Sequence, residues 1–541
     1  MAKREFHNES TFKTFAEQGR ETEFDSLFDR AVEDARRQFG ATHKMHIGGA
    51  EVSATETITE KSPIDGTIIG HFQKGTREHA RMAIRAAREA FASWRQTDYR
   101  TRAELMRKAA DVFAKRKFDV SAVLSWENGK SRYESVGEVD EAIDFLRYYA
   151  DELDANKGYA HRNTISGSTA KVTAGFQGAP AEKTERITIR LEPFGVFGVI
   201  APFNFPVSIS VGMSSGAMIT GNTVVFKPSG SDSMTMLTGL KIYECFKAAG
   251  IPAGVFNYIT GPGSEVGDEL VVSKDVSGIV FTGSRAVGTS MITKAYGIGL
   301  QKTFIVEMGG KNPAIVTKTA NIDDAVKGVA SAAFGFDGQK CSACSRVYVH
   351  ESIKEQFVSK LIEKVRGFKI GNPMQKDIYM GPLISEKAYK TYTEAVERAR
   401  STGRLLYGGN KVNTGLQGYY VEPAIAEVRH DSELVKRELF VPFLTVEGFK
   451  DFNGALEMAN DVDYGLTAGL YTGSRKEIKE FLGRIEAGVV YVNRANSATT
   501  GAIVGMHTFV GWKGSSVGGK GTGSRHYLQQ FMREHSLSVT G

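Results

Sequence analysis

Cys341, in the segment GQKCSACSR, is the clearest candidate nucleophile, and Cys344 follows it three residues later. A Cys-x-x-Cys pair leaves three readings open: half of a zinc site, a redox pair, or one nucleophile with a bystander. A structural zinc site needs about four ligands, and no second Cys pair or His-x-x-x-His accompanies this one, so no metal is expected. A thioredoxin-like pair would occupy a small βαβ domain of its own, which a place deep in a 541-residue chain does not resemble. A buried structural cysteine is the bland alternative, and Cys245, on the apolar helix face IYECF, is assigned to it. Glu307, in IVEMGGKNP, follows an apolar strand and precedes two glycines. It reads either as a general base or as a solvated loop acid. Asn204, in APFNFP, stands in a proline-bracketed turn. Its amide could donate to an oxyanion or cap the turn.

Two further places could meet a phosphate or a sugar. In GIVFTGSRAVG a strand runs into Gly283-Ser284 and then into a helix start, with Gly288 five residues after Gly283. Such an N-terminus presents free N–H groups and a favourable dipole to an anion, although this is not GxGxxG and similar turns are common. Lys227, in VVFKPSG, ends a strand, where open α/β sheets bind ligands. A solvated lysine before a proline turn is the competing reading.

The elements that must position these residues follow from the hydrophobic pattern. From Gly195, short apolar runs (VFGVIA, NTVVFK, VFNYI, GIVFT, TFIVE) alternate with stretches of helical period. That order predicts βαβ units and a parallel sheet. A second alternation runs from Pro313 to about Val490. Before both, about 45 residues of helix and polar extension precede a short β section, followed by amphipathic helices over 76–97, 100–128 and 134–153. Residues 155–190 are polar and end in the alternating TERITIRLEPF, which predicts an exposed or edge β segment. Of the 59 glycines, 28 fall in residues 191–310 and 500–541, where backbone is expected to approach a ligand or turn sharply.

Composition narrows the class. The net charge of +6 comes from 68 basic and 62 acidic residues interspersed along the chain, without the basic stripe of a nucleic-acid binder. There is no 18-residue apolar run for a membrane span. The start MAKREFHNESTFKTF lacks the layout of a signal peptide, and three cysteines suit a reducing compartment, so a cytoplasmic protein is expected.

In order and spacing, APFNFP, VVFKPSG, FTGSRAVG, VEMGGKNP, GQKCSACSR and RELFVPF resemble the aldehyde dehydrogenase superfamily from about residue 45 onward. The 34 residues from Glu307 to Cys341 match that family's base-to-nucleophile interval. The resemblance implies Cys341 as the nucleophile, hydride loss from a thiohemiacetal, and hydrolysis of a thioester by water activated at Glu307. Asn204 and the Cys341 N–H would hold the oxyanion. For the cofactor it implies Lys227 at the ribose with Ser229 beside it, Gly283 and Ser284 at the pyrophosphate, Glu438 at the nicotinamide ribose and Phe440 packed alongside. Val441 stands where the family often has glycine. Gly230 stands where NAD-preferring relatives often carry an acid, so NAD is expected, with NADP use open.

EAIDFLRYYA, GQKCSACSR and TTGAIVGMHTF resemble more narrowly the L-glutamate γ-semialdehyde (1-pyrroline-5-carboxylate) dehydrogenase branch. This implies Glu141 at the substrate ammonium, Ser342, Gly501 and Ala502 at its carboxylate, and Phe509 along the aliphatic part. HTFVGWKGSS departs from the usual PFGG string at Thr508 and Val510, so another semialdehyde or an aliphatic aldehyde is the alternative substrate. A coenzyme-A-acylating enzyme is disfavoured by Glu307, and a non-catalytic redox protein would need a Cys341–Cys344 disulfide or a metal.

The fold implied is α/β, with a Rossmann-type NAD(P)-binding domain over 1–155 and 191–306, and an α/β catalytic domain over 307–490. An oligomerisation flap and C-terminal tail would comprise 156–190 and 491–541. An exposed strand edge is safe only when paired or covered, so a homodimer or an assembly of dimers is expected. The remaining partner would be a small-molecule aldehyde.

Overall fold

The computed structural model describes residues 6–165, 185–230, 232–495 and 503–540. The apolar runs between Gly195 and Glu307 form five parallel strands: Val196–Ile200, Thr223–Lys227, Phe256–Tyr258, Gly278–Thr282 and Thr303–Glu307. Their spatial order is fifth, fourth, first, second, third. The chain therefore winds outward from the first strand in both directions, and a crevice opens beyond the carboxyl ends where the direction reverses. These strands are covered on both faces by helices, which is why they read as unbroken apolar runs. Antiparallel strands extend both edges, Met45–Ile47 and Ala50–Val52 beyond the third strand and Ser516–Val517 beyond the fifth.

Only Met308–Lys311 separates the fifth strand from Asn312–Val316, the first strand of a second, seven-stranded sheet. That sheet is parallel except for the edge strand Arg404–Tyr407. Glu307 thus stands where one sheet passes into the other.

The helix expected at 76–97 spans Arg77–Trp94, with Thr76 and His79 forming a reciprocal capping box. The stretch 100–128 is not one helix but two, Tyr99–Lys115 and Lys117–Asn128. The second half lacks an exposed polar face: it is buried almost all round, and Lys117 turns inward onto Glu9 and Asp140 at 2.9 and 2.6 Å. The third helix runs Arg132–Ala155, and the Ser131 hydroxyl accepts a hydrogen bond from the Glu134 N–H at its start. The N-terminal extension packs onto it. The Glu9 and Thr11 N–H groups donate to Asp144 and Asp140 at 2.8 and 2.7 Å, and Phe24 and Phe28 are fully buried in the main core.

TERITIRLEPF differs from its expected edge position. Glu185–Pro193 is the central strand of a three-stranded antiparallel sheet, flanked by Ala160–Ile165 and Met532–Thr540. The alternation comes from a half-exposed sheet paired on both sides, a pattern that by itself does not tell a central strand from an edge. The glycine run near the C-terminus has a steric reason: Gly519 has φ +68°, and a Cβ on Gly521 would lie 2.3 Å from the Phe509 carbonyl oxygen. No helix among the described residues is long and apolar enough to cross a membrane.

Candidate active site

Cys341 lies in the loop that leads into the strand Cys344–His350. Its side chain is half-buried, whereas Cys344 is buried and its thiol donates to the Arg346 carbonyl at 3.5 Å. Among the described residues, no group of three His, Cys, Asp or Glu side chains could hold a metal ion there. Asn312 fixes the loop with both ends of its amide. Nδ2 donates to the Cys341 and Ala343 carbonyls at 2.8 and 2.9 Å, and Oδ1 accepts from the Thr467 N–H at 2.9 Å. Gly310 must be glycine to let the loop in, since a Cβ there would sit 2.3 Å from the Cys341 oxygen.

Asn204 is buried beside this loop and donates from Nδ2 to the Gln339 carbonyl at 3.1 Å. Its turn is clamped by a wholly buried ion pair of Lys130 and Glu138. Lys130 donates to the Asn204 carbonyl at 2.6 Å, and Glu138 accepts from the Val207 and Ser208 N–H groups at 2.7 and 3.2 Å. The Lys130 ammonium also lies 3.6 Å from the Phe205 ring centroid. Burial pushes the ammonium down and the carboxyl up, and their mutual attraction offsets both shifts.

Glu307 ends the fifth strand and pairs across to Ser516, whose hydroxyl donates to Oε1 at 3.0 Å. Oε2 is buried with no hydrogen-bond partner among the described residues. Burial pushes this carboxyl up to about 8, with the Ser516 hydrogen bond acting in the opposite direction. Burial also raises the Cys341 thiol well above its ordinary range, and the Glu438 and Glu307 charges add to the rise. A lowered thiol pKa, as the chemistry demands, is therefore not met by these side chains. The groups facing the sulfur are carboxylates, and the backbone N–H groups of Ser342 and Cys341 offset them only in part.

The cofactor candidates divide between the two sheets. Lys227 and Ser229 follow the second strand, and Gly283 and Ser284 follow the fourth, on either side of the first. Lys227 is buried, its ammonium donating among the described residues to the Pro228 carbonyl alone, at 3.2 Å, and burial pushes it down to about 8. The Ser229 hydroxyl donates to the Ser233 carbonyl. Ser284 caps the helix Arg285–Gly297, accepting from the Val287 N–H at 3.4 Å. Val287 itself is 49% exposed, an apolar side chain left open one turn into that helix. Glu438 reaches in from the second sheet, where Oε1 accepts from the Gly310 N–H at 2.8 Å and burial pushes the carboxyl up to about 7. Phe440 takes a left-handed φ of +60° and meets Phe203 edge-on at 5.8 Å, joining the Glu438 loop to the Asn204 turn.

Of the substrate candidates, Glu141 is half-buried on the helix Arg132–Ala155, and among the described residues no Lys or Arg forms an ion pair with it. Burial pushes its carboxyl up to about 7, with the neighbouring Ser208 hydroxyl favouring the charged form. Ser342 is buried next to Cys341. Phe509 is half-buried in a C-terminal segment tied to the Glu141 helix through the Gly523 N–H, which donates to the Tyr149 hydroxyl at 3.1 Å. Gly501 and Ala502 lie outside the described residues.

Sequence reasoning missed Lys130, Glu138, Asn312 and Ser516. Asn312 could have been found, since it stands two residues after Gly310 in the same VEMGGKNP string as Glu307. The other three have no local signal.

The aldehyde dehydrogenase family profile matches residues 51–537. A 1-pyrroline-5-carboxylate dehydrogenase of Geobacillus sp. (strain WCH70) is 34% identical over 519 residues, covering 94% of this chain and 95% of that one. A 1-pyrroline-5-carboxylate dehydrogenase 2 of Bacillus subtilis (strain 168) is 36% identical over 517 residues, again 94% and 95% of the two chains. The crystal structure of 1-pyrroline-5-carboxylate dehydrogenase from Thermus with bound NAD superposes at a TM-score of 0.88, with 32% identity and all of both chains covered. The proline utilization A structure from Bdellovibrio bacteriovorus matches equally well, with a TM-score of 0.88 and 33% identity, although this chain spans only 54% of that longer one. With the profile covering most of its length and relatives more than 30% identical over 94% of it, the chain belongs to the aldehyde dehydrogenase family.

Proposed function

We propose that the protein oxidises L-glutamate γ-semialdehyde, the open form of 1-pyrroline-5-carboxylate, to L-glutamate with NAD, in the breakdown of proline. The relatives carry this activity in their names. The observation that carries the substrate is Glu141: a half-buried carboxyl near the Asn204 turn, raised by burial and paired with no cation among the described residues. A substrate ammonium would supply the missing charge.

The residues present fit a nicotinamide dinucleotide. Lys227 is an ammonium buried without an acid partner among the described residues, Ser284 opens a helix N-terminus, Val287 offers an apolar face, and Glu438 stands beside the glycines next to Cys341. Lys227 and Ser229 would hold the adenosine side, Gly283 and Ser284 the pyrophosphate, and Glu438 with Phe440 the nicotinamide ribose. When bound, the cofactor supplies the hydride acceptor. Gly230 places no carboxylate against a 2′-phosphate, so NADP fits the same loop.

Cys341 reacts as the thiolate, its proton passing to solvent before the sulfur attacks. The sulfur adds to the aldehyde carbon, and the Asn204 amide and Cys341 N–H stabilise the oxygen that becomes charged. After the substrate is oxidised to a thioester, Glu307 accepts a proton from the water that attacks it. Ser342 and the backbone of Gly501 and Ala502 would receive the α-carboxylate, and Phe509 the aliphatic chain. The three-stranded sheet, with Val539 65% exposed, suits a homodimer contact, and the protein is read as cytoplasmic. Light scattering that reports a monomer at micromolar concentration would overturn the dimer.

NADH and NADPH formation with L-glutamate γ-semialdehyde, succinate semialdehyde and propanal tests the reaction, substrate and cofactor together. The amino-acid semialdehyde should give the highest kcat/KM. An equal value for propanal would overturn the substrate reading.

A further inference from the structure

Glu307 is buried, yet its two oxygens are not equivalent: Oε1 accepts from the Ser516 hydroxyl at 3.0 Å, while Oε2 has no partner among the described residues. The contact is set by the backbone. Ser516 is the direct antiparallel partner of Glu307, and Val517 pairs with Val306, so the edge strand holds the hydroxyl in a fixed register against the carboxyl. The next turn is fixed as well, since the Met308 N–H donates to the Ser515 carbonyl at 2.7 Å and the Ser515 hydroxyl to the Gly309 carbonyl at 2.7 Å. We propose that Ser516 is a positioning residue for the base: its hydroxyl ties up Oε1, orients the carboxylate and leaves Oε2 as the oxygen that accepts the proton. This rests on the reading of Glu307 as the base that hydrolyses a Cys341 acyl-enzyme.

In that step a water oxygen bonds to the thioester carbon while Oε2 takes one water proton. The carbon–sulfur bond then breaks, its electron pair stays on sulfur, and the proton returns from Oε2 to the thiolate. Both oxygens of a carboxylate can accept, and a hydrogen bond already given to one of them directs the proton to the other. It also favours the charged form, which burial otherwise disfavours. The ionisable groups that feel the Glu307 charge are the Cys341 thiol from the nucleophile loop and the Tyr527 phenol from the C-terminal segment, and Glu438 from the second sheet faces that same thiol. The thiol and the phenol are both raised, by burial first and further by the Glu307 charge, so both are held neutral; neither is a cation in any protonation state, and neither can replace Ser516.

Hydrolysis of p-nitrophenyl acetate by the full-length chain tests this, because the nitrophenolate burst reads acylation of Cys341 and the steady rate reads deacylation. The ester needs neither cofactor nor the amino-acid pocket, so the outcome is independent of the semialdehyde assignment. Ser516→Ala should keep the burst and slow deacylation about ten- to hundredfold, the equivalent of one hydrogen bond to a charged acceptor. The acid limb of its pH profile should move up by about one pH unit or more, and Ser516→Thr should restore both. A Ser516→Ala profile that overlays the wild type, or a burst and steady rate that fall together, would overturn the proposal. A wild-type chain without any burst would overturn the reading of Cys341 and Glu307, and the proposal with it.

Discussion

Lys130→Met removes the cation from a pair in which neither side chain is exposed, and it removes the donor that holds the Asn204 carbonyl. Breaking a buried pair from one side costs about 3–5 kcal/mol, because the remaining charge is stranded. Glu138 keeps the Val207 and Ser208 N–H groups and is already displaced toward its protonated form by burial, so the lower end, about 3 kcal/mol, is expected. Catalysis should suffer separately. The Asn204 backbone carbonyl would lose the donor that fixes its turn, and a displacement of about 1 Å at a reacting centre can cost on the order of 10²-fold. Complete loss of an oxyanion donor, about 10²–10³-fold, sets the ceiling. A 10- to 100-fold fall in kcat/KM, measured by NADH formation well below the melting temperature, is therefore expected, about 1.4–2.7 kcal/mol at the transition state. The double variant Lys130→Met/Glu138→Met removes the stranded charge and should regain most of the melting temperature. It should remain slow, because the Val207 and Ser208 N–H groups have then lost their acceptor too. Recovery of activity together with stability would show that the pair serves folding alone. An unchanged melting temperature and rate in the single variant would refute the clamp altogether.

Glu141→Ala should lower kcat/KM for the amino-acid semialdehyde at least about tenfold, the scale of a charge-assisted hydrogen bond, while leaving propanal nearly unaffected; comparing the two substrates checks it, and equal losses would contradict the ammonium role. A Cβ at Gly230 would meet nothing closer than 3.5 Å, so Gly230→Glu should fold normally. It should raise the KM for NADP selectively through repulsion of the 2′-phosphate, measured with both cofactors side by side. Cys344→Ala should retain aldehyde oxidation, with a stability loss from the buried core as its main effect, whereas Cys341→Ala should abolish turnover; a Cys344→Ala enzyme without activity would revive the redox-pair reading.

The chemistry-bearing strings and the βαβ order were legible because each is local: a strand end, a glycine, and the reactive residue within a few positions. Glu307, Asn204 and Cys341 are candidates on that basis, each with a competing bland reading, and only the order and spacing of the six strings, through the family resemblance, imply their roles. Ser516 could not, because its partner lies 209 residues away and only strand register brings the two together. Lys130 and Glu138 are equally silent, since a charged residue in a helical pattern reads as solvated until tertiary packing covers it. The break at Arg116 and the central place of Glu185–Pro193 escaped for the same reason. The C-terminal tail, expected to act as one unit with the flap, contributes Ser516–Val517 to the first sheet and Met532–Thr540 to the three-stranded one.

The most direct test of the central claim is peptide mass spectrometry of Glu307→Gln after reaction with L-glutamate γ-semialdehyde and NAD. Without the base, the thioester should persist, so one NADH per active chain and an L-glutamyl thioester on the peptide containing Cys341 are expected. NADH formation with no adduct, or an adduct on Cys344 instead, would contradict the account.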